Sequence, residues 1–153
     1  METAKQISVS LVNKPGRLSA MLGALGKEKV GLRALTVMDS GDRGTVRFVP
    51  EDFAAATKVL ESNNIRFESV DVLLAEVPSQ AGAFRKICEK LGIEHLNIDY
   101  AYCSFDGGRG ARAGVLAVIK VNDLAKAQRV LSENTINGAR VARRPIRRPV
   151  HAR

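Results

Sequence analysis

The sequence is poor in the residues that most often carry chemistry. It holds two cysteines, two histidines and no tryptophan, and aromatic residues make up 5% of its 153 positions. Cys88 and Cys103 are too few for a disulfide framework or a four-ligand zinc site. No apolar run is long enough to span a bilayer. Residues Met1 to Ser10 already alternate apolar and polar, as a strand does and a secretory leader does not. The glycines between Gly107 and Gly114 contain no G-x-x-x-x-G-K-[ST] phosphate loop and fit a hairpin turn. Asp39, Asp42 and Asp106 lack the spacing of a calcium loop, and neither His95 nor His151 has a partner at catalytic spacing. These absences exclude a secreted miniprotein, a membrane protein and a zinc finger. The expectation is a soluble cytoplasmic protein with no catalytic set, metal or cofactor.

What is present reads as globular: 45% hydrophobic and 26% charged residues, in a length that suits one domain or two small ones. The net charge of +8 is concentrated at one end. Arg143, Arg144, Arg147, Arg148 and Arg153 fall in the last eleven residues with no acid among them, leaving 19 basic against 16 acidic residues elsewhere, a net of +3. A nucleic-acid footprint over the whole body is therefore weaker than the headline charge suggests. Prolines after each arginine pair predict an extended tail over 143–153.

The chain repeats itself. DFAAATKVLESNNI (52–65) aligns with DLAKAQRVLSENTI (123–136) at seven identical positions of fourteen, an offset of 71. Upstream the offset is 66, which places Gly16 on Gly82, Met21 on Ile87, Leu25 on Leu91 and Leu32 on Ile98. The five extra residues fall in the glycine-rich stretch Ser104–Gly114, where a hairpin lengthens at little cost.

Within the first copy, Ile7, Val9 and Leu11 alternate with serines and predict a strand, broken by Asn13-Lys14-Pro15-Gly16. Leu18, Met21, Leu22 and Leu25 share a helical face; Gly26 and Gly31 loosen its end. Strands follow at Leu32–Met38 and Thr45–Val49, then a helix from Asp52 and a closing strand at Ile65–Val70. The order β-α-β-β-α-β is the split ferredoxin-like plan, an antiparallel sheet with both helices on one face. The second copy repeats it from Val72 to about Val141. The sequence thus predicts an α+β protein with two ferredoxin-like units, 1–70 and 71–142, packed rigidly and edge to edge, followed by the basic tail 143–153.

ISVSLVNKPGRLSAMLGALGKEKVGLRALTV resembles the opening of an ACT domain, the ferredoxin-like amino-acid-sensing module of metabolic enzymes. VPSQAGAFRKICEKLGIEHLNIDYAYC is a divergent second version, with Ala81 at the proline position. The whole is similar to small stand-alone tandem-ACT proteins. The resemblance implies a non-catalytic regulatory protein that binds a small amino acid between units, signals allosterically to a metabolic enzyme partner, and forms a homodimer. A regulatory subunit of an enzyme such as acetohydroxyacid synthase is the nearest alternative.

In serine-binding members of the family one asparagine precedes x-Pro-Gly and another opens the second strand, from opposite sides of a domain interface. Here these positions are Asn13 in unit one and Asn97 in unit two, while the mirror pair is Ser79 and Gly31. The expected main site is therefore Asn13, Lys14, Pro15, Gly16, Arg17, Leu18 and Asn97, with Ser79, Gln80, Gly82, Ala83 and Phe84 at the divergent mirror. A strand-to-helix turn of this kind exposes backbone N–H groups where the helix dipole favours a carboxylate.

Tyr100 and Tyr102 lie on one face of a strand. Either they form a pocket wall or a base-stacking platform, or Tyr100 follows Ile98 into the helix-side core; the core placement is the expectation. Cys88 reads as a small buried hydrophobe. Nucleic acid is the rival partner, through Arg143, Arg144, Arg147 and Arg148.

Overall fold

The computed structural model describes residues 2–104 and 114–136. In chain order the elements are β1 (Glu2–Val12), α1 (Arg17–Lys27), β2 (Leu32–Ser40), β3 (Arg43–Pro50) and α2 (Phe53–Ser62). They continue with β4 (Glu68–Pro78), α3 (Ala83–Ile93), β5 (Ile98–Ser104), β6 (Gly114–Val121) and α4 (Leu124–Ile136). The closing strand expected near Val141, residues 105–113 of the glycine-rich turn and the arginine tail lie outside the described residues.

The repeat is visible in how the helices begin and end. Asp52 caps α2 by accepting from the Ala55 N–H at 3.0 Å, and its counterpart Asp123 accepts from the Lys126 N–H at 3.0 Å. The other two helices start instead on left-handed glycines, Gly16 at φ 86° and Gly82 at φ 79°, with no side-chain cap. Lys29, Asn64 and His95 each adopt φ near 56° just past a helix. After each, an N–H reaches back to a leucine carbonyl: Val30 to Leu25, Ile65 to Leu60 and Leu96 to Leu91. The left-handed residue that ends α1 is thus Lys29, neither Gly26 nor Gly31.

All six strands form one antiparallel sheet, in the order β2-β3-β1-β4-β6-β5. The units are joined edge to edge, as the sequence predicts, and the joint is a shared pair of strands. The closing strand of unit one and the opening strand of unit two are a single strand, β4, and the boundary drawn between residues 70 and 71 falls inside it. Residues 2–8 of β1 pair with 68–74 of β4, while β1 continues onto β3 and β4 continues onto β6. Read from one edge the order is β2-β3-β1-β4; read from the other it is β5-β6-β4-β1. Each long strand is the first strand of its own unit and the fourth strand of the other.

Directly opposed residues share a face of the sheet, so the register assigns the cores. Ile7, Val9, Val46 and Phe48 face α1 and α2, and Leu73, Ala75, Ala117 and Ile119 face α3 and α4. All four helices lie on this one side. The opposite side carries a third cluster, Ala34, Val49, Val72, Leu74, Leu116 and Val118. Its members come from both ends of the strand order, and the edge strands β2 and β5 approach each other. The sheet rolls around this cluster with the helices outside.

Because unit one borrows its fourth strand from unit two, it should not stand alone. A chain ending at residue 67 strips β1 of a partner along residues 2–8 and uncovers Ile7, which is fully buried. The expected result is no cooperative thermal transition as a monomer, measured by circular dichroism and sedimentation. A monomer that melts cooperatively would show that the first unit is autonomous.

Candidate functional site

The strand-to-helix loops have the backbone that the sequence predicts. Lys14 N–H donates to the Val12 carbonyl and Arg17 N–H to that of Lys14, so the turn closes on itself and delivers Gly16 as the uncapped start of α1. An added Cβ at Gly16 would meet nothing within 4 Å, so the space beside this residue is open. Gln80 and Ala83 repeat the same turn ahead of Gly82 and α3. The side-chain amide of Asn13 donates to the Gly41 carbonyl at 3.3 Å, and its backbone N–H to that of Asp42, tying the loop to the β2–β3 turn. Asn97 accepts no such role: its backbone N–H donates to Asn122 Oδ1 at 2.9 Å and its side chain to Asp99 Oδ1 at 3.0 Å. Strand direction points both asparagines toward the same end of the sheet, Asn13 beyond the end of β1 and Asn97 before the start of β5. However, β4 and β6 lie between those strands and the register sets Ile98 level with Lys5, so the sheet does not place the two side by side. Ser79 and Gln80 lie at the opposite end, after β4.

A groove of about 880 Å3 opens between the units at the Asn13 end. Its origin is a gap in pairing. β4 accompanies β1 only as far as Ser8 opposite Glu68; the preceding Ile65, Arg66 and Phe67 leave the sheet and form one wall. Ser8, Ser10, Thr45 and Arg47 of unit one form another, and Asp99, Tyr100 and Lys120 of unit two the third. The loop residues predicted from sequence frame this end but do not line the groove; Asn97 reaches it through Asp99.

Tyr100 does not follow Ile98 into the helix-side core. The register slips between them, so Ile98 packs toward α3 and α4 while Tyr100 and Tyr102 turn into the roll. The bulge recurs at the equivalent Leu32 and Ala34 of β2, which makes it a property of the repeat. Fully buried Gln6 receives both phenols: its Nε2 donates to Tyr100 Oη at 2.6 Å, and Tyr102 Oη donates to its Oε1 at 2.8 Å. The Arg47 guanidinium stacks 4.2 Å from the centre of the Tyr100 ring. Neither ring is displayed as a platform for bases.

The two halves of the roll have diverged. The counterparts of Gln6, Arg47, Tyr100 and Lys120 are Val72, Val118, Ala34 and Val49, which fill the mirror half with apolar side chains. At the mirror mouth Arg33 donates to both oxygens of Glu2, at 2.7 and 3.2 Å, and holds that carboxyl below its ordinary pKa. Their counterparts at the groove are Asp99 and Glu68, two acids that cannot bridge. One half is closed by packing and an ion pair; the other stays open. Sequence reasoning found Tyr100 as a potential pocket wall but missed Arg47, Lys120, Ser8 and Ser10. The signal available was the mismatch between copies, charged or aromatic in one and aliphatic in the other.

Among the described residues no three His, Cys, Asp or Glu side chains gather as a metal site, and no helix is long and apolar enough to cross a membrane. His95 is exposed, Cys103 is exposed, and Cys88 is half-buried.

Burial, chiefly, and the neighbouring Tyr100 push the Tyr102 phenol well above its ordinary pKa of 10, against a smaller opposing pull from Arg47. A raised acid stabilises the fold fully below pH 10 and loses that contribution as pH climbs beyond it, because the unfolded phenol ionises first. Tyr102→Phe should therefore cost about 1 kcal/mol at neutral pH, from the lost hydrogen bond, yet show a shallower stability loss above pH 10 in urea titrations. Parallel wild-type and variant curves through that range would contradict this account.

No curated protein matches the sequence. A solved structure of protein BT0572 from Bacteroides thetaiotaomicron is 31% identical, with 87% of this chain and 89% of that one aligned at a TM-score of 0.79. The regulatory subunits of aspartate kinase from Thermus thermophilus (ligand-free form) and Thermus flavus share the fold at 16% and 17% identity. Their TM-scores are 0.58 and 0.59, over 86% and 88% of this chain and 91% and 94% of theirs. The family model for the ACT domain pair matches residues 2–141. With the palindromic strand order and the duplicated loop, this match establishes that the chain belongs to the ACT domain pair family.

Proposed function

We propose that this ACT domain pair is a non-catalytic regulatory protein that binds a small amino acid at the start of α1, between its two units. The observation that carries the reading is the helix end at Gly16, left-handed, without a side-chain cap and with open space beside it, where first-turn N–H groups suit a ligand carboxylate. Lys14, Pro15, Arg17 and Leu18 shape that end. Asn13 and Asn97, toward the same end of the sheet, carry amide groups suited to the ammonium side. The Ser79–Phe84 loop offers the same backbone around Gly82 without either asparagine, so one dominant site per chain is the natural outcome.

The likeness in fold to aspartate kinase regulatory subunits supports a role beside a metabolic enzyme. Since β1 and β4 bind the units into one sheet, a ligand does not swing them apart. The signal is local: ordering of residues 13–17 and the entry to β5, read by a partner that prefers the ordered state.

Thermal unfolding against each of the twenty amino acids at millimolar concentration tests this. One amino acid, or a related group, should raise the midpoint; saturation to 100 times the dissociation constant adds about 2.7 kcal/mol. Asn13→Ala should abolish that shift, while lowering the unliganded midpoint only by the loss of its long, exposed bond to Gly41. A flat panel would overturn the amino-acid reading.

A further inference from the structure

We propose that the groove between β1, β3 and the start of β5 is a second ligand site, separate from the strand-to-helix loops. It takes a small organic acid with an apolar body, whose carboxylate pairs with Arg47.

Arg47 is half-buried and makes no ion pair among the described residues. It rests instead on soft contacts, the face of Tyr100 at 4.2 Å and Met38 Sδ, to which Nη1 donates at 3.0 Å. A guanidinium partly withdrawn from water without a counter-ion is unfavourable, and stacking occupies its face while leaving N–H edge for a carboxylate. Lys120 shows the contrast. It lines the same groove with its ammonium paired to Asp99 at 3.5 Å and bonded to the Val121 carbonyl at 2.9 Å. Asp99 is thereby paired, and Glu61, Arg66 and Glu68, which also line the groove, stand exposed to water. The half-buried charge of the groove left without an ion pair among the described residues is Arg47.

The surroundings suit an anion with a hydrocarbon body. Ser8 lies directly opposite Arg47 in the β1–β3 register, and Ser10 opposite Thr45, which brings three hydroxyls to the same face. Ile65, Phe67 and Val70 provide the apolar wall. The volume of about 880 Å3 falls in the range of small-molecule pockets.

The repeat supplies an internal control. Val118 occupies the position of Arg47 in the second copy and is fully buried in the cluster that closes that half. The fold therefore does not need an arginine there. A structural role alone does not explain a charge at a place its own duplicate fills with valine.

The test is a methyl NMR titration of the full chain with 4-methylpentanoate, its neutral amide 4-methylpentanamide, and inorganic phosphate. Saturable shifts at Ile65 and Val70 are expected with the acid; the amide should bind about tenfold weaker or more through loss of one charge-assisted contact, and phosphate about tenfold weaker or more because it has no body to cover the apolar wall. Arg47→Gln should lose binding of the acid by the same factor, and Lys86→Ala, on the surface of α3, should leave it unchanged. If Arg47→Gln does not fold, the acid-against-amide comparison on the wild-type protein decides alone. Equal binding of acid and amide, phosphate binding as tightly as the acid, shifts confined to Leu18 and Ala83, or no saturable shift would each overturn the proposal. Shifts at Leu18 or Ala83 would report the loops, whose residues do not line the groove, so the two sites are read separately.

Discussion

The antiparallel pairing of residues 2–8 with residues 68–74 is the constraint on which everything else depends. It makes two ferredoxin-like units that are each incomplete, since the fourth strand of one is the first strand of the other. Hydrogen bonds along this seam are the least of it. Ile7 and Leu73 sit on one side of the seam beneath the helices, and Val72 and Leu74 on the other inside the roll, all essentially without solvent exposure. Separating the units would therefore open three hydrophobic clusters together, so the pair is expected to unfold as one cooperative body.

That rigidity shapes how such a protein can respond. Tandem modules joined by a linker can report a ligand by changing their relative orientation. Here the seam forbids it, and what can change is confined to the sheet ends: the loop ahead of α1, the β2–β3 turn that Asn13 grips, and the entry to β5. These are the places where the backbone is held by a few turn and side-chain hydrogen bonds and not by the ladder.

Much of this was legible in the sequence. The duplication, the order of elements, the Asp52 and Asp123 caps and the glycine-led starts of α1 and α3 all follow from local patterns, and each is found where the pattern lies. That the units meet edge to edge was legible; that one strand serves both was not. The junction between units reads as two strands in succession, and only a partner 66 residues away along the chain shows that residues 68–78 are continuous. Tyr100 defeated period-two reasoning for a related reason: a bulge inserts a residue, and every side chain after it changes face. The groove draws its lining from five strands, the end of α2 and the connection after it, none of which announces it alone. The ligand loop, by contrast, is contiguous from Asn13 to Leu18, so its residues could be named in advance.

Lys5 and Asp71 stand at the centre of the seam, equivalent positions of the two copies set directly opposite one another and bridged at 3.1 Å. In a dimer of identical single units joined by this pairing, the two-fold axis would set residue 5 against its own image, lysine on lysine or aspartate on aspartate, and like charges directly opposed are destabilising. A single chain carrying both copies escapes that rule. Fusion thus did more than tether two modules: it released every residue beside the axis from self-complementarity. The same release let one half of the roll close over valines while the other kept its arginine, its tyrosines and an open mouth.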